Sequence, residues 1–432
     1  MLGGGSFIAQ NKVLPGAYIN FVSAATAGTY IGERGTAAIP MVLDWGPEKT
    51  VFEVSAEEFQ EKSRGVFGYS YDDSAMRPVR ELFKNLKSGF FYRLNTGAKA
   101  ANEFATAVYS GTRGNSIKIM ITKNIDDETK FDVKTLFSGK EVDVQTVADA
   151  GSLKENTYII FKETSTLAET AGVPLTGGTN GGAVTGEDYA DFLSKMENYS
   201  FQVLCCPSVD ENVKALFVSF TKRMREENGI KFQTVLYRYS KADYEGVISV
   251  ENEAEELEPG LVYWTSGAEA SCAINKTTEN KTYDGEYSVK ADYTQIQLKE
   301  GIQAGRFLFH KVGSEIRVLM DINTLVTYTE EKGEDFSSNQ TIRVLDQIGN
   351  DIASLFNTRY LGKMPNDAAG RVSLWNDIVT YGKKLAALRA IESISANSVT
   401  VDKGSNKRSV VVNFPVEPIN CISQLYMTVI VS

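Results

Sequence analysis

The chain has a single histidine, His310, so any catalysis through an imidazole rests on that residue alone. It stands in "GRFLFHKVG", alternating with Phe307, Leu308 and Phe309 in a strand pattern far from any serine elbow, and reads as a structural histidine. The glycine-rich "PLTGGTNGGAVTG" (174–186) precedes a helical pattern and invites a phosphate-cradle reading. A P-loop carries Lys and then Ser or Thr after its last glycine, where this chain has Ala183 and Val184. The dinucleotide fingerprint needs a strand directly before its glycines, and "ETAGVPL" makes a poor one, so the segment reads as a linker. The turn "CCPSVDE" stands where doubly wound folds bind ligands, but Pro207 stiffens it and it has no glycine. One His with Cys205, Cys206, Cys272 and Cys421, without C-x-x-C spacing, cannot build a zinc tetrad. Glu251, Glu253, Glu255, Glu256 and Glu258 lack the glycine and ligand spacing of a calcium loop and read as a solvated face. No catalytic, cofactor or metal residue is assigned, and a non-enzymatic interaction or structural role is expected. The alternative is a cytoplasmic α/β enzyme or nucleotide binder that uses the 174–186 loop.

The elements that would position such residues are those of a folded, multidomain chain. At 432 residues, two to four domains are expected, and 42% hydrophobic with 23% charged residues is ordinary for a globular core. The 45 basic and 55 acidic residues are mixed in sequence, with no basic cluster for a phosphate backbone, so nucleic acid is not an expected partner. No run approaches 18 apolar residues, so no membrane insertion is expected. The opening "MLGGGSFIAQNKVLPG" has no basic start and no long apolar core, and the adjacent cysteines of "FQVLCCP" read as buried thiols; both point to a protein made and folded in a cytoplasm.

The fold class expected is an α/β core with a βαβ unit, an inserted all-β sandwich module, and extended N- and C-terminal strand arms. Residues 1–27 form the N-terminal arm and 28–96 an α/β part packing with the core. Residues 97–175 alternate on a two-residue period and form the sandwich. Residues 176–335 form the main α/β core domain. There Thr185 and Asp188 make a capping box, Ser208 with Glu211 caps a second helix, Gly229 closes it, and "KFQTVLY" completes strand–helix–strand. Residues 336–432 form a helical and β domain with the terminal strand arm. Its second helix, from Asn366, has Val372, Trp375, Ile378, Val379 and Leu385 as its apolar stripe.

Both ends read as strands. Ala17, Tyr18, Ile19 and Phe21 follow the Pro15–Gly16 turn, behind Gly3, Gly4 and Gly5. Leu425, Tyr426, Met427, Thr428, Val429, Ile430 and Val431 form an apolar or β-branched strand near the other end. A strand presented on a flexible leader adds to a neighbouring molecule's sheet, although the pattern alone also allows both strands to lie in their own subunit's sheet. Gly3–Gly5, Pro15, Gly16 and Pro418 are the candidate hinge or turn positions.

A resemblance runs through the chain in order. It is carried by "VLPGAYINF" (13–21), "RGTAAIPMVLDWGP" (34–47), "YSGTRGNSIKIMI" (109–121), "YDGEY" (283–287), "RVLDQIGNDI" (343–352), "GRVSLWNDIVTYGKKLAAL" (370–388) and the closing "FPVEPINCISQLYMTVIVS". Together these resemble the contractile phage tail sheath family, in the form found in Gram-positive phages, prophages and phage-tail-like bacteriocins. The resemblance implies a helical homo-polymer, with hexameric rings, around a tail tube, in contact with baseplate and tail terminator proteins. It implies contraction that drives the tube through a cell envelope, and residence in a virion tail or tail-like particle assembled in the bacterial host cytoplasm. Arg371, Lys383, Lys384 and Arg389 become candidates for facing an acidic tube. The other reading of an assembly protein, a non-contractile secreted or surface-layer subunit, would need an export signal.

Overall fold

The computed structural model describes residues 31–431, together with two-residue strands β1 (Gly4–Gly5) and β2 (Ala17–Tyr18), which pair in parallel. The expectations for Gly3, Pro15, Gly16, Ile19 and Phe21 lie outside the described residues. The chain divides into one unit of residues 34–342 and a second made of 1–33 with 343–432.

The larger unit opens with β3 (Thr36–Met41), β4 (Val51–Ser55), α1 (Ala56–Phe67), α2 (Arg77–Phe83) and β5 (Ser88–Arg93). The run "TAAIPM" has no polar alternation after Thr36 because both of its faces are buried. Ser55 and Glu58 form a capping box that starts α1, and Gly68, left-handed at φ 79°, ends it. Seven strands follow: β6 (Lys99–Ala101), β7 (Ala105–Ser110), β8 (Ile117–Lys123), β9 (Phe131–Phe137), β10 (Lys140–Val147), β11 (Ile159–Phe161) and β12 (Thr170–Pro174). They form a four-stranded sheet (β10-β9-β8-β12) and a three-stranded one (β11-β7-β6). The period-2 residues Ile117, Ile119, Ile121, Val133 and Phe137 share one buried core with Ala105, Ala107, Ile159 and Trp45. Ser138 and Gly139, at φ 52° and 78°, are the two positive-φ residues that a tight β9–β10 hairpin requires.

The chain then runs through α3 (Gly186–Met196), β13 (Val203–Cys206), α4 (Glu211–Glu226), β14 (Gln233–Tyr237), β15 (Val247–Val250), α5 (Leu261–Ser271), α6 (Gln295–Gln303), β16 (Phe309–Val312) and β17 (Glu315–Val318). Strands from both sides of the sandwich enter one six-stranded sheet, in the order β15-β14-β13-β3-β5-β4. All neighbours are parallel except the edge strand β4. Alternate strand residues feed two cores. Ile39, Phe91, Cys205, Val235 and Ile248 pack with Phe59 of α1, Leu82 of α2 and Trp264 of α5. Ala38, Tyr92, Leu204, Cys206 and Leu236 pack with Phe192 of α3 and Phe217 of α4. The Thr185–Asp188 capping box is present. The start of α4 differs from expectation: Asp210 is its N-cap, accepting from Asn212 N at 2.7 Å, because its carboxylate reaches the free amides directly. Ser208 instead holds Asp210, accepting its N–H at 3.1 Å.

The second unit contains most of α7 (Asn339–Leu355), a wide helical turn over Phe356–Tyr360, α8 (Ala368–Ala387), and the hairpin of β18 (Thr400–Lys403) with β19 (Val410–Asn413). Asp367 caps α8, accepting from Gly370 N at 2.7 Å, so the helix begins two residues after the expected Asn366. Its buried stripe is Leu374, Ile378, Tyr381 and Leu385. Val372, expected inside, is 62% exposed, because it lies on the opposite side of the helix from that stripe.

Candidate functional site

The residues that could do chemistry are occupied structurally. His310 sits in the β16–β17 hairpin opposite Arg317, and burial together with that guanidinium lowers its pKa. Cys205 and Cys206 are wholly inside the sheet, where burial pushes the Cys205 thiol up to about 12 and Cys206 further up, against reactivity. The glutamates of 251–258 include several with basic or hydroxyl partners: Glu253 with Lys290, Glu251 with Arg306 at 3.6 Å, and Glu256 with Ser288. Among the described residues no group of three His, Cys, Asp or Glu is placed to hold a metal ion.

The 174–186 segment is not a slack linker. It runs beside the chain that enters the sandwich: Ala101 and Thr176 exchange backbone bonds, and Thr179 N donates to Ala98 O at 3.1 Å. Asn180 ties it down, donating to Asp44 Oδ1 at 2.7 Å and accepting from Thr112 N at 2.9 Å. A Cβ on Gly178 would stand 2.5 Å from Gly111 O, and one on Gly181 would stand 1.8 Å from Thr96 O. Close chain approach therefore explains these glycines.

Strands are added outward in opposite directions from the parallel pair β3 and β13, and a crevice of about 270 Å³ opens at their carboxyl ends. Met41, Asp44, Tyr69, Tyr189, Pro207 and Tyr263 line it. Asp44, its carboxylate, already accepts from Tyr69 OH at 2.5 Å and from Asn180. Sequence reasoning missed a buried carboxylate nearby in the fold, Glu81. Burial raises its pKa, and it accepts from Tyr283 OH at 2.7 Å and from Glu286 N. Within "YDGEY", Gly285 leaves room for it, since a Cβ there would stand 2.2 Å from Glu81 Oε2.

The C-terminal segment is the outlier. Leu425, Tyr426, Met427, Val429, Ile430 and Val431 are 71% to 90% exposed, and Leu425–Val431 pair with no strand among the described residues. Burial, not chain position, normally decides where six such side chains go. The segment leaves from a fixed point. Pro418 forms an antiparallel bridge with Ile391, flanked by Glu392 N to Glu417 O (2.8 Å) and Ile419 N to Ala390 O (3.0 Å).

The four basic residues expected to act together are spread out. Arg371 Nη1 donates to Asn366 O at 3.2 Å at the start of α8, about 18 Å along the helix from Lys383. Lys383 and Lys384 are exposed on adjacent rather than common faces, and Arg389 lies beyond the helix end at φ 60°. What the second unit does have is a charge bias. It carries 11 basic against 8 acidic residues (+3), leaving 34 against 47 (−13) for the rest of the chain.

Comparison with known proteins accounts for the chain almost end to end. Family models match it over residues 34–94 (tail sheath protein Gp18 domain III N-terminal region), 95–180 (phage tail sheath protein beta-sandwich domain), 182–324 (phage tail sheath protein central domain) and 331–432 (phage tail sheath C-terminal domain). A protein of the PBSX phage-like element of Bacillus subtilis is 32% identical, with 99% of each chain covered. The crystal structure of a sheath tail protein from Desulfitobacterium hafniense is 37% identical with a TM-score of 0.82, covering 94% of this chain and 98% of that one. The contracted helical sheath of the anti-feeding prophage shares the fold at 11% identity and a TM-score of 0.54, covering 96% and 99%. Sheet, sandwich and C-terminal unit thus have counterparts in one kind of structural protein, and the chain belongs to the phage tail sheath family.

Proposed function

We propose that this sheath subunit polymerises helically around a tail tube and contracts to drive that tube through a cell envelope. The observation that carries the reading is the exposed apolar segment Leu425–Val431, which has backbone and side chains to pair and no strand for them among the described residues. Strand addition to a neighbouring copy satisfies both at once. The N-terminal residues Ala17, Tyr18, Ile19 and Phe21 are the second arm in this proposal. The working parts are residues 1–27 as arm, 28–96 with 176–335 as the α/β core with its βαβ unit, 97–175 as the sandwich, and 336–432 as the domain that bears the C-terminal arm.

The polymer is a stack of hexameric rings bounded by baseplate and tail terminator proteins, in a virion tail or tail-like particle assembled in the host cytoplasm. Subunits turn as rigid bodies about Gly3–Gly5, Pro15, Gly16 and Pro418, and the contracted lattice is favoured because it buries more interface, so no catalysis or nucleotide hydrolysis is involved. The positive balance of the C-terminal unit supports its meeting an acidic tube, with Arg371, Lys383, Lys384 and Arg389 as contacts. Reversing those four charges then abolishes tube attachment.

Negative-stain microscopy of the purified protein tests the proposal. Striated tubes or rings are expected, and a strictly monomeric protein over a wide concentration range overturns it.

A further inference from the structure

Ile31 to Thr36 is a short segment with two sets of fastenings. Gly32 N donates to both carboxylate oxygens of Asp351 on α7, at 3.2 and 3.3 Å. That carboxylate is itself held: Tyr381 OH on α8 donates to Oδ2 at 2.8 Å, and Gln347 Nε2 donates to Oδ1 at 2.9 Å. Gln347 Nε2 also reaches Gly32 O at 3.3 Å. A Cβ on residue 32 would stand 2.9 Å from Asp351 Oδ1 and from Gln347 Nε2, so those side-chain ends would have to shift to admit it. Two residues on, the chain is tied within the larger unit. Arg34 donates to Cys272 O at 2.9 Å and to Glu269 O at 3.1 Å, and Gln202 Oε1 accepts from Gly35 N and Thr36 N.

We propose that the Asp351–Tyr381–Gln347 cluster is the anchor of the N-terminal arm: it fixes the chain at Gly32, so that pull on residues 1–31 is taken by α7 and α8 and not by strand β3. The inference rests on the strand-arm reading above. A carboxylate held by two further donors is a stiff acceptor, and charge-assisted bonds to a backbone amide are stronger than neutral ones. The arrangement also gives the two ends a common base. The C-terminal segment leaves the same unit at the Ile391–Pro418 bridge, so both arms are fastened to one compact body of the subunit. A subunit that moves within a linked lattice needs its links rooted in a part that does not unfold when pulled. In this role Asp351 is the positioning residue, and Tyr381 and Gln347 orient it.

The test uses the full-length chain and two readouts. In Asp351→Ala, hydrogen exchange of peptides covering residues 31–36 rises on the order of tenfold, from loss of the charged acceptor. Polymers become fewer and shorter at temperatures well below the monomer's thermal midpoint, which itself falls by about 5 °C because the buried Tyr381 hydroxyl loses its acceptor. Gly32→Ala changes no residue of either helix, displaces the ends of the Asp351 and Gln347 side chains, and gives the same rise in exchange and loss of polymer. Asp351→Asn keeps a carbonyl acceptor and recovers part of each. If the variants exchange at the wild-type rate, or exchange faster yet polymerise like wild type, the anchor is refuted while the arm reading stands. If wild type itself forms no polymer, the arm reading fails, and the exchange result still judges whether Asp351 holds Gly32.

Discussion

Removal of residues 425–432 separates an assembly arm from an internal strand, and the expected size follows from the structure. In the single subunit the side chains of residues 425–431 are largely exposed and pair with no described strand, so their loss removes little that holds the monomer together. The melting midpoint should move by less than about 1 °C. Added to a neighbour's sheet, one face of the segment, Leu425, Met427, Val429 and Val431, gains about 1.5–3 kcal/mol per side chain. Four or five ladder hydrogen bonds add about 0.5–1.5 kcal/mol each. Ordering eight backbone residues costs about 1–2 kcal/mol apiece. At the middle of these ranges the contributions nearly cancel, leaving a net gain of about 1–2 kcal/mol per subunit. A link of that size changes an association constant by roughly tenfold. Truncation should therefore raise the critical concentration for polymerisation on the order of tenfold, read by sedimentation and microscopy over a dilution series. Polymerisation at the wild-type concentration would refute this reasoning. So would a fall of more than about 5 °C in the monomer midpoint, which would place the segment in its own subunit's core.

The glycines of the sandwich return segment differ sharply in what surrounds them. Gly181→Ala sets a Cβ against Thr96 O at φ 74° and should cost about 3 kcal/mol or more in denaturant unfolding, whereas Gly182→Ala, with nothing within 4 Å, should stay within about 0.5 kcal/mol. Asp188 is held below the ordinary carboxylate value, first by its hydrogen bond with Lys49 and further by the Thr185 cap. Its folded pKa is depressed, so its contribution is present above the unfolded carboxylate range and is lost as pH falls through the folded value. Asp188→Asn should lower the midpoint near pH 7 and narrow the gap to wild type toward about pH 3, as thermal scans across pH would show.

Much of the fold was legible because its signals are local. The capping pair Thr185–Asp188, the two-residue period of β8 and β9, and the left-handed Gly229 each act within a few residues of themselves. Even locally, competition blurs the reading: Asp210 and not Ser208 caps α4, because Asp210 reaches the Asn212 and Val213 amides while Ser208 accepts from Asp210 N. Val372 joined an apolar stripe on paper, yet the stripe that packs runs through Leu374 and Tyr381, because the partners across the helix select the face. The glycine-rich 174–186 stretch looked like slack for a similar reason. A glycine chosen for flexibility and one chosen for contact are the same letter, and only the carbonyl at Thr96 distinguishes them.

By itself the sequence determined the capping box at Thr185, the alternating strands of the sandwich and the apolar character of the 425–431 segment, since composition, spacing and turn chemistry are properties of neighbouring residues. Tertiary structure alone decided that strands on either side of the sandwich share one sheet, and that Gly32 meets Asp351 from 319 residues away. It also decided that Leu425–Val431 find no strand among the described residues. Those outcomes depend on which distant surfaces meet and how much each contact buries, and no pattern along the chain encodes that distance.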